Sequence, residues 1–200
     1  MSIFNTKRMT GMTEKTVEHF VLGAGVFAKD FIPGTDTYES AKTAGKLLGA
    51  TTGGGEFKAA KVGHYSQVDG APENTKGLYI LDYWTTTMQA TVKELTADTI
   101  ASAMAAAKKT TEESVTGYDV IVPKSALELD DYTDNITYIG RIVGSEKPII
   151  IQIFNAFSTN DLSIQPKDND EASVQVIFTG HYDPNDLETP PYKIYWPKEA

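Results

Sequence analysis

The residues of this chain that could carry out chemistry are a glycine-rich fingerprint, two acidic clusters and three histidines. The run GAGVFA at residues 23–28 matches the G-x-G-x-x-A pattern that brings a dinucleotide pyrophosphate to the N-terminus of a helix. That chemistry requires a helix directly after the glycines, and Pro33 interrupts the residues that follow. We therefore interpret the run as a bent strand and predict no cofactor.

The second glycine-rich run, GATTGGG at residues 49–55, lacks the Lys-Ser/Thr pair that follows the glycines of a phosphate-binding loop. It is typical of a flexible loop. The two acidic clusters resemble calcium ligands, but neither has the glycine at the sixth position of the calcium-binding loop. We interpret both as turns and solvated acidic surface, with a weak cation site as the alternative. They comprise Asp130, Asp131 and Asp134, and Asp168, Asp170 and Glu171.

The histidines do not form a metal-binding pattern. His19, His64 and His181 are far apart, and the chain has no cysteine, which excludes disulfides and thiolate metal sites. No serine occupies a G-x-S-x-G elbow. A pair of carboxylates that converges only in the folded chain stays open, because no feature singles out such a pair. The motifs predict a protein that is not an enzyme and holds no metal.

The net charge of −9 is unevenly distributed along the 200 residues. Up to Lys76 there are nine basic and eight acidic residues, whereas from Gly77 onward there are nine basic and nineteen acidic residues. Proteins that bind DNA tightly have an excess of basic residues instead, with Lys and Arg clustered against the phosphates. Tight nucleic-acid binding is therefore not expected. No stretch approaches the roughly 18 apolar residues of a membrane span, and no signal peptide is recognisable, so no membrane association is expected.

The elements that would position these residues are mainly strands. Three runs in the last third of the chain are rich in Ile, Val, Phe, Tyr and Thr, which fit a half-buried pleated surface. In the last of these runs, Val174, Val176 and Phe178 alternate with polar residues, as in an antiparallel strand with one packed face. A longer extended run spans residues 76–95. Its second half carries a polar, uncharged row: Thr85, Thr87, Gln89 and Thr91.

One domain accounts for most of the chain. We predict an N-terminal arm at residues 1–16, a β-rich domain at residues 17–182 and a C-terminal arm at residues 183–200. The last of these contains four prolines, which argue against a regular element.

Within the domain, the sequence predicts one long loop and one helix. The loop spans residues 33–55 and is rich in glycine, and a short helical turn within it, near Glu39 to Leu48, stays open. The helix spans residues 96–109, with Thr96 as its N-cap and with Lys108 and Lys109 in its last turn.

The order of several motifs carries a resemblance to a known family. They are an early strand with Gly23-Ala24-Gly25, the loop GATTGGG at 49–55, Lys76-Gly77-Leu78 before a Thr-rich strand, Glu94-Leu95-Thr96 before an alanine-rich helix, and a final strand ending in Thr179-Gly180-His181-Tyr182-Asp183-Pro184. From about Phe20 to Tyr195 the chain resembles the major tail tube proteins of tailed bacteriophages, most of all those with long, non-contractile tails.

The resemblance implies a mainly β fold with one helix (α+β), a β-sandwich or partly closed barrel of the tail tube type. It implies rings, typically of six subunits, that stack into a hollow tube through which double-stranded DNA leaves without specific binding. The expected location is the virion tail, assembled in the bacterial cytoplasm. The expected partners are further copies of the chain, the tape measure, the tail terminator and the tail tip.

Two sets of residues follow from this interpretation. The loop at residues 33–55 is expected to be mobile in the free subunit and to order against a neighbour. Its inter-subunit candidates are Tyr38, Leu47, Leu48, Thr51 and Thr52. The polar row Thr85, Thr87, Gln89 and Thr91 is the candidate for part of the lumen, with outer solvent as the alternative environment.

Two other functions stay open. The same fold could form the tube of a contractile tail or of a secretion-type injection machine. A different class is a ligand- or carbohydrate-binding β-sandwich, in which exposed aromatic residues such as Trp84 and Trp196 would line a pocket.

Overall fold

The computed structural model of the protein describes residues 10–110, 115–166 and 168–198. Of the N-terminal arm expected at residues 1–16, residues 1–9 lie outside this description. The strands and helices, in chain order, are β1 (Val21–Lys29), α1 (Tyr38–Thr43), β2 (Thr51–Tyr65), β3 (Tyr79–Val92), α2 (Ala97–Met104), β4 (Ala107–Thr110), β5 (Val120–Pro123), β6 (Thr133–Ile142), β7 (Ile149–Ser158), β8 (Val174–Gly180) and β9 (Tyr192–Tyr195). The mainly β fold class is confirmed. No helix in the described ranges is long and apolar enough to cross a membrane.

One continuous path of hydrogen-bonded strands folds into two layers. Its order is β1-β6-β7-β8-β3-β2, and β9 also pairs with β7. Residues 150–153 of β7 pair with β9, whereas Phe157 and Ser158 pair with β8. We call β1, β6, β9 and the first half of β7 the first layer, and β2, β3, β8 and the end of β7 the second layer. The separate β4–β5 pair lies beside α2.

Asn155 lies at the point where β7 passes from the first layer to the second. Its φ of 47° is in the left-handed region, which asparagine tolerates better than most residues. Its side-chain amide donates to the carbonyl oxygen of His181 at 3.1 Å, and Nδ1 of His181 lies 3.0 Å from the carbonyl oxygen of Asn155. The imidazole also stacks on the ring of Phe157. His181 therefore has a structural role, holding the bend between the layers.

The hydrophobic core lies between the two layers. In β8, Val174, Val176 and Phe178 are buried and Gln175 is exposed, which confirms the predicted alternation. The buried cluster comprises Phe27, Leu48, Met88, Ala90, Val92, Ala103, Ile136, Ile153, Ala156, Val174, Val176 and Phe178. Because its members come from both layers, the fold is a β-sandwich.

The two ends of the strand path also approach each other, which makes the sandwich a partly closed barrel. The amide of Leu48 donates to the carbonyl oxygen of Phe27 at 2.9 Å, and the amide of Lys29 donates to that of Lys46 at 2.8 Å. A side chain at Gly55 would collide with the ring of Phe27. The glycine therefore lets β2 lie directly against β1.

A buried amide holds the segment after β1 against the first layer. Nε2 of Gln152 donates to the carbonyl oxygen of Phe31 at 2.9 Å and lies 2.8 Å from Oγ1 of Thr137. Oδ1 of Asn135 accepts from the amide of Phe31 at 3.1 Å. Since these groups are buried, the network satisfies polar atoms that would otherwise be costly to desolvate.

Residues 33–55 are not a single loop, because α1 overlaps the stretch in which the sequence allowed a short helical turn and β2 begins at Thr51. Thr37 caps α1, since its Oγ1 accepts from the amide of Ser40 at 3.2 Å, and Ala41 is fully buried. The glycines at 53–55 do not form a flexible connection, because Gly53 and Gly54, with φ of 72° and 76°, form a bulge inside β2. Ala41 and Leu48 pack on their own chain, and the other side chains of the segment are exposed or partly exposed.

Two element boundaries also differ from the prediction. Thr96 is the N-cap of α2, as predicted, and its Oγ1 accepts from the amide of Thr99 at 3.1 Å. The helix ends at Met104 rather than at residue 109, because Ala105 has a φ of 55° that cannot continue a helix. Lys108 and Lys109 belong to β4. The C-terminal arm contains the regular strand β9, which lies between the prolines.

Candidate assembly surfaces

The acidic clusters seen in the sequence belong to ion pairs and turns. A carboxylate oxygen of Asp131 accepts from Nζ of Lys124 at 2.7 Å. Burial raises the pKa of Asp131, but hydrogen bonds from Lys124 and from the amide of Glu128 outweigh that effect and hold the pKa below its usual value. Within the described ranges, no group of three or more His, Asp and Glu side chains is arranged to hold a metal ion.

The largest protruding feature is a two-stranded ribbon that extends beyond the sandwich. β2 and β3 pair along their whole length, from the bulge near Thr52 to Tyr65, but β8 pairs only with residues 86–92 of β3. We call residues 61–83 the hairpin arm; its strands pair only with each other. At roughly 3.3 Å per residue, the five β3 residues at positions 79–83 extend about 16 Å.

The base of the hairpin arm is fixed to the body. The amide of Trp84 donates to Oη of Tyr182 at 2.8 Å. The Trp84 ring meets that of Tyr192 edge to face, with centroids 5.7 Å apart. The arm therefore starts from a rigid position, and Trp84 serves as an anchor rather than as part of an aromatic ligand pocket.

The hairpin arm exposes large apolar side chains. Tyr65 and Tyr79 pack edge to face with ring centroids 5.0 Å apart, and Nζ of Lys61 lies 5.7 Å from the Tyr79 ring. Clusters of exposed large apolar side chains mark interaction sites more often than isolated ones do. Between 39% and 53% of the surface is exposed in each of Tyr65, Val68, Tyr79, Ile80, Leu81 and Tyr83.

The outer face of the second layer is polar. The row Thr85, Thr87, Gln89 and Thr91 points away from the core, and the alternate residues Thr86, Met88, Ala90 and Val92 are buried. Neighbouring strands continue the polar character of the row. On β2, the neighbours of Thr87, Gln89 and Thr91 are Lys58, Glu56 and Thr52. On β8, they are Thr179, Ile177 and Gln175. The face presents mainly hydroxyl and amide groups.

The charge of Lys93, the lysine that follows this row, is balanced by nearby carboxylates. Nζ of Lys93 lies 2.9 Å from a carboxylate oxygen of Glu171 and 3.7 Å from one of Asp170. The hydrogen bond that Lys93 donates to Glu171 raises the pKa of Lys93 and lowers the pKa of Glu171. The positive charge at this end of the face is therefore matched by two carboxylates.

The five loop residues predicted to contact other subunits lie in different environments. Tyr38 begins α1 and is 44% exposed, whereas Leu47 is partly buried at a bridge with Ala28. Leu48 is a correction to the prediction, because it packs in the core of its own chain. Thr51 and Thr52 lie in β2, the last strand of the path, whose outer edge pairs with no other strand in the described ranges.

Sequence reasoning missed the hairpin arm as an interaction surface. The available signal was the length of the run at residues 76–95, which exceeds the usual strand of five or six residues. Ile80 in this run is apolar, yet its side chain is 45% exposed. No third strand covers the arm at this position, so alternation there does not report burial.

Known proteins similar to this chain are found among solved structures. No family model and no curated protein matches the sequence. One similar structure is the tail of an empty gene transfer agent particle refined with helical C6 symmetry, with 13% identity, a TM-score of 0.37, and coverage of 80% of this chain and 92% of that chain. Another is the virion of a native gene transfer agent particle, with 15% identity, a TM-score of 0.33, and coverage of 68% and 84%. Both TM-scores are low.

Proposed function

We propose that this chain is a structural protein of a phage-type tail, whose copies assemble head to tail into stacked rings that form a tube. The observation that carries the proposal is the hairpin arm. It exposes six large apolar side chains on a ribbon to which no third strand pairs in the described ranges. At roughly 25 cal/mol per Å² of apolar surface removed from water, covering them with another copy gives a strong driving force for assembly.

The open edge of β2 offers a second contact for assembly. Thr51–Tyr65 present backbone amide and carbonyl groups along one side, and an open edge is a template for pairing with another strand. Lys58 and Lys61 lie on this strand and disfavour indiscriminate pairing, because charged side chains protect edges. A neighbouring copy with a matching edge would continue the second layer around a ring.

The polar outer face of the second layer is the proposed lining of the tube. DNA phosphates are retained by exposed cations, and each such contact adds salt-dependent affinity. Thr85, Thr87, Gln89 and Thr91 carry no charge, and Lys93 is matched by carboxylates. Lys58 and Glu56, which lie beside Thr87 and Gln89, add one charge of each sign, so the face has no excess of cations. A wall of this kind lets double-stranded DNA pass without binding it.

The remaining details of the proposal come from the family resemblance. They are rings of six subunits, assembly in the host cytoplasm into the virion tail, and contacts with the tape measure, the tail terminator and the tail tip. A non-contractile tail is proposed over a contractile tail or a secretion machine on the same ground.

Electron microscopy and sedimentation of the purified chain over a concentration series test the proposal. Rings or tubes are expected for the natural sequence. The triple variant Tyr79→Ser, Leu81→Ser, Tyr83→Ser should stay folded but assemble poorly. The matched control, Leu127→Ser, Leu129→Ser, Leu187→Ser, removes exposed apolar residues outside the arm and should assemble normally. A strictly monomeric protein at every concentration, even with tail-initiating proteins added, would reject the proposal, and saturable binding of an oligosaccharide would favour the ligand-binding class.

The proposed lining has its own test. Replacing Thr87 and Gln89 with lysine should leave assembly intact and slow DNA ejection, with a larger effect at low salt because phosphate contacts are screened at high salt. A matched variant with Thr87→Asn and Gln89→Asn should eject normally. Unchanged ejection from fully assembled particles of the lysine variant would place this face on the outside of the tube.

A further inference from the structure

A second apolar surface lies at the end of the first layer, near the turn between β6 and β7. It is a groove of about 370 Å³. It is lined by residues of β1 and β6, by Tyr38 at the start of α1 and by residues of the turn between β6 and β7. Its lining includes Leu22, Val26, Tyr38, Ile139, Arg141 and Lys147. The side chain of Leu22 is 50% exposed.

We propose that this groove receives the tip of the hairpin arm from a second copy of the chain. The inference rests on the proposed assembly function and names the acceptor surface for the arm. The arm and the groove are different surfaces of one chain, so the contact is head to tail and can repeat from copy to copy. Apolar side chains on the arm, such as Val68 and Leu81, match the apolar groove.

The charges around the two surfaces are complementary. The turn of the arm, residues 66–78, carries Asp69 and Glu73 against the single lysine Lys76. The residues lining the groove include Arg141 and Lys147 against the single acid Glu146. In the described ranges, neither cation of the groove and neither acid of the turn forms an ion pair. Opposite charges at the rim would guide the arm into the groove and set its orientation.

The absence of cysteine from the chain makes a direct test available. A Val68→Cys, Leu22→Cys double variant places one thiol on the arm and one in the groove. Mild oxidation of the assembled protein should give a ladder of covalent multimers, because each copy has one donor and one acceptor thiol. Each single variant should give dimers at most. The matched control, Val68→Cys with Leu129→Cys, carries an equally accessible second thiol away from the groove and should give no ladder.

Charge reversal gives an independent test. The arm variant Asp69→Lys, Glu73→Lys and the groove variant Arg141→Glu, Lys147→Glu should each need a roughly tenfold higher concentration to assemble, equivalent to about 1.4 kcal/mol. Mixing the two variants should restore assembly, because both donor–acceptor pairs then have opposite charges. The reversal Lys108→Glu, Lys193→Glu changes two exposed lysines that line neither surface and should have no effect.

The outcomes separate the two proposals. Assembly into rings or tubes without a covalent ladder, and without rescue on mixing, would overturn the groove as the acceptor and leave the assembly function standing. Failure of the natural sequence to assemble would overturn both. A ladder in the Leu129→Cys control as strong as that in the Leu22→Cys variant would also overturn the groove, because the arm would then contact copies without preference.

Discussion

The two halves of β3 both carry apolar side chains but lie in opposite environments. Residues 86–92 lie between β2 and β8, and Met88 and Val92 are buried in the sandwich core. Residues 79–83 continue the same strand into the hairpin arm, where Ile80 and Leu81 are almost half exposed. Both halves mix apolar and polar residues. The difference shows that the neighbouring strand, rather than the local sequence pattern, determines whether a strand side chain is buried in the core. A side chain without such a neighbour stays exposed and can contact another molecule.

The largest effect that tests this comparison is expected in the packed half. Met88→Ala removes a side chain that is 1% exposed and leaves a cavity, so we expect the free energy of unfolding to fall by about 2–5 kcal/mol. Chemical denaturation of the free subunit measures this. A loss below 1 kcal/mol, in the absence of local collapse, would mean that β3 and β8 are not tightly packed here.

A similar but smaller loss is expected where the barrel closes. Leu48→Ala should lower the free energy of unfolding by about 2–4 kcal/mol, because Leu48 packs in the core beside Phe27. Its neighbour Leu47 is only partly buried, and Leu47→Ala is the control with the smaller expected effect. Equal and negligible losses for both variants would favour a mobile assembly segment at residues 33–55 and contradict the packing described above.

Thr86 lies where the packed half of β3 begins, and its substitution should be stabilising. The residue is fully buried, and its hydroxyl has no hydrogen-bond partner in the described ranges. Thr86→Val keeps the shape and removes the unpaired hydroxyl, so we expect a gain of about 1 kcal/mol in thermal or chemical denaturation. Thr86→Ser keeps the hydroxyl and loses a methyl group, so it should destabilise. A destabilised valine variant would indicate that the hydroxyl has a bound water.

The smallest effect on folding is expected in the hairpin arm. Leu81→Ala should change the free energy of unfolding of the free subunit by no more than about 0.5 kcal/mol, because the side chain is 47% exposed and lacks cover from its own chain. The same variant should raise the concentration needed for assembly. If instead it destabilises the isolated subunit as much as Met88→Ala does, the arm folds back on its own body and the comparison fails.

Sequence reasoning succeeded where one face of a strand is apolar and the other polar, and where a local side-chain contact starts a helix. The alternation at Val174, Val176 and Phe178 predicted their burial, and Thr96 predicted the start of α2, because a side-chain cap is a local interaction. It failed at residues 33–55 and at the end of α2. There the outcome depended on contacts with distant strands and on one left-handed residue, Ala105, whose conformation leaves no signal in the pattern.

The sequence by itself determined the mainly β class, the acidic surplus and the absence of thiolate chemistry, because composition and alternation follow from the residue types alone. Only the tertiary structure decided that β7 divides between two layers, that Leu48 closes the barrel, and that the far end of β3 stands uncovered. These properties depend on which strands become neighbours. Strand pairing joins residues far apart in the chain, and the apolar residues of a strand are equally suited to an internal core and to the surface of another copy.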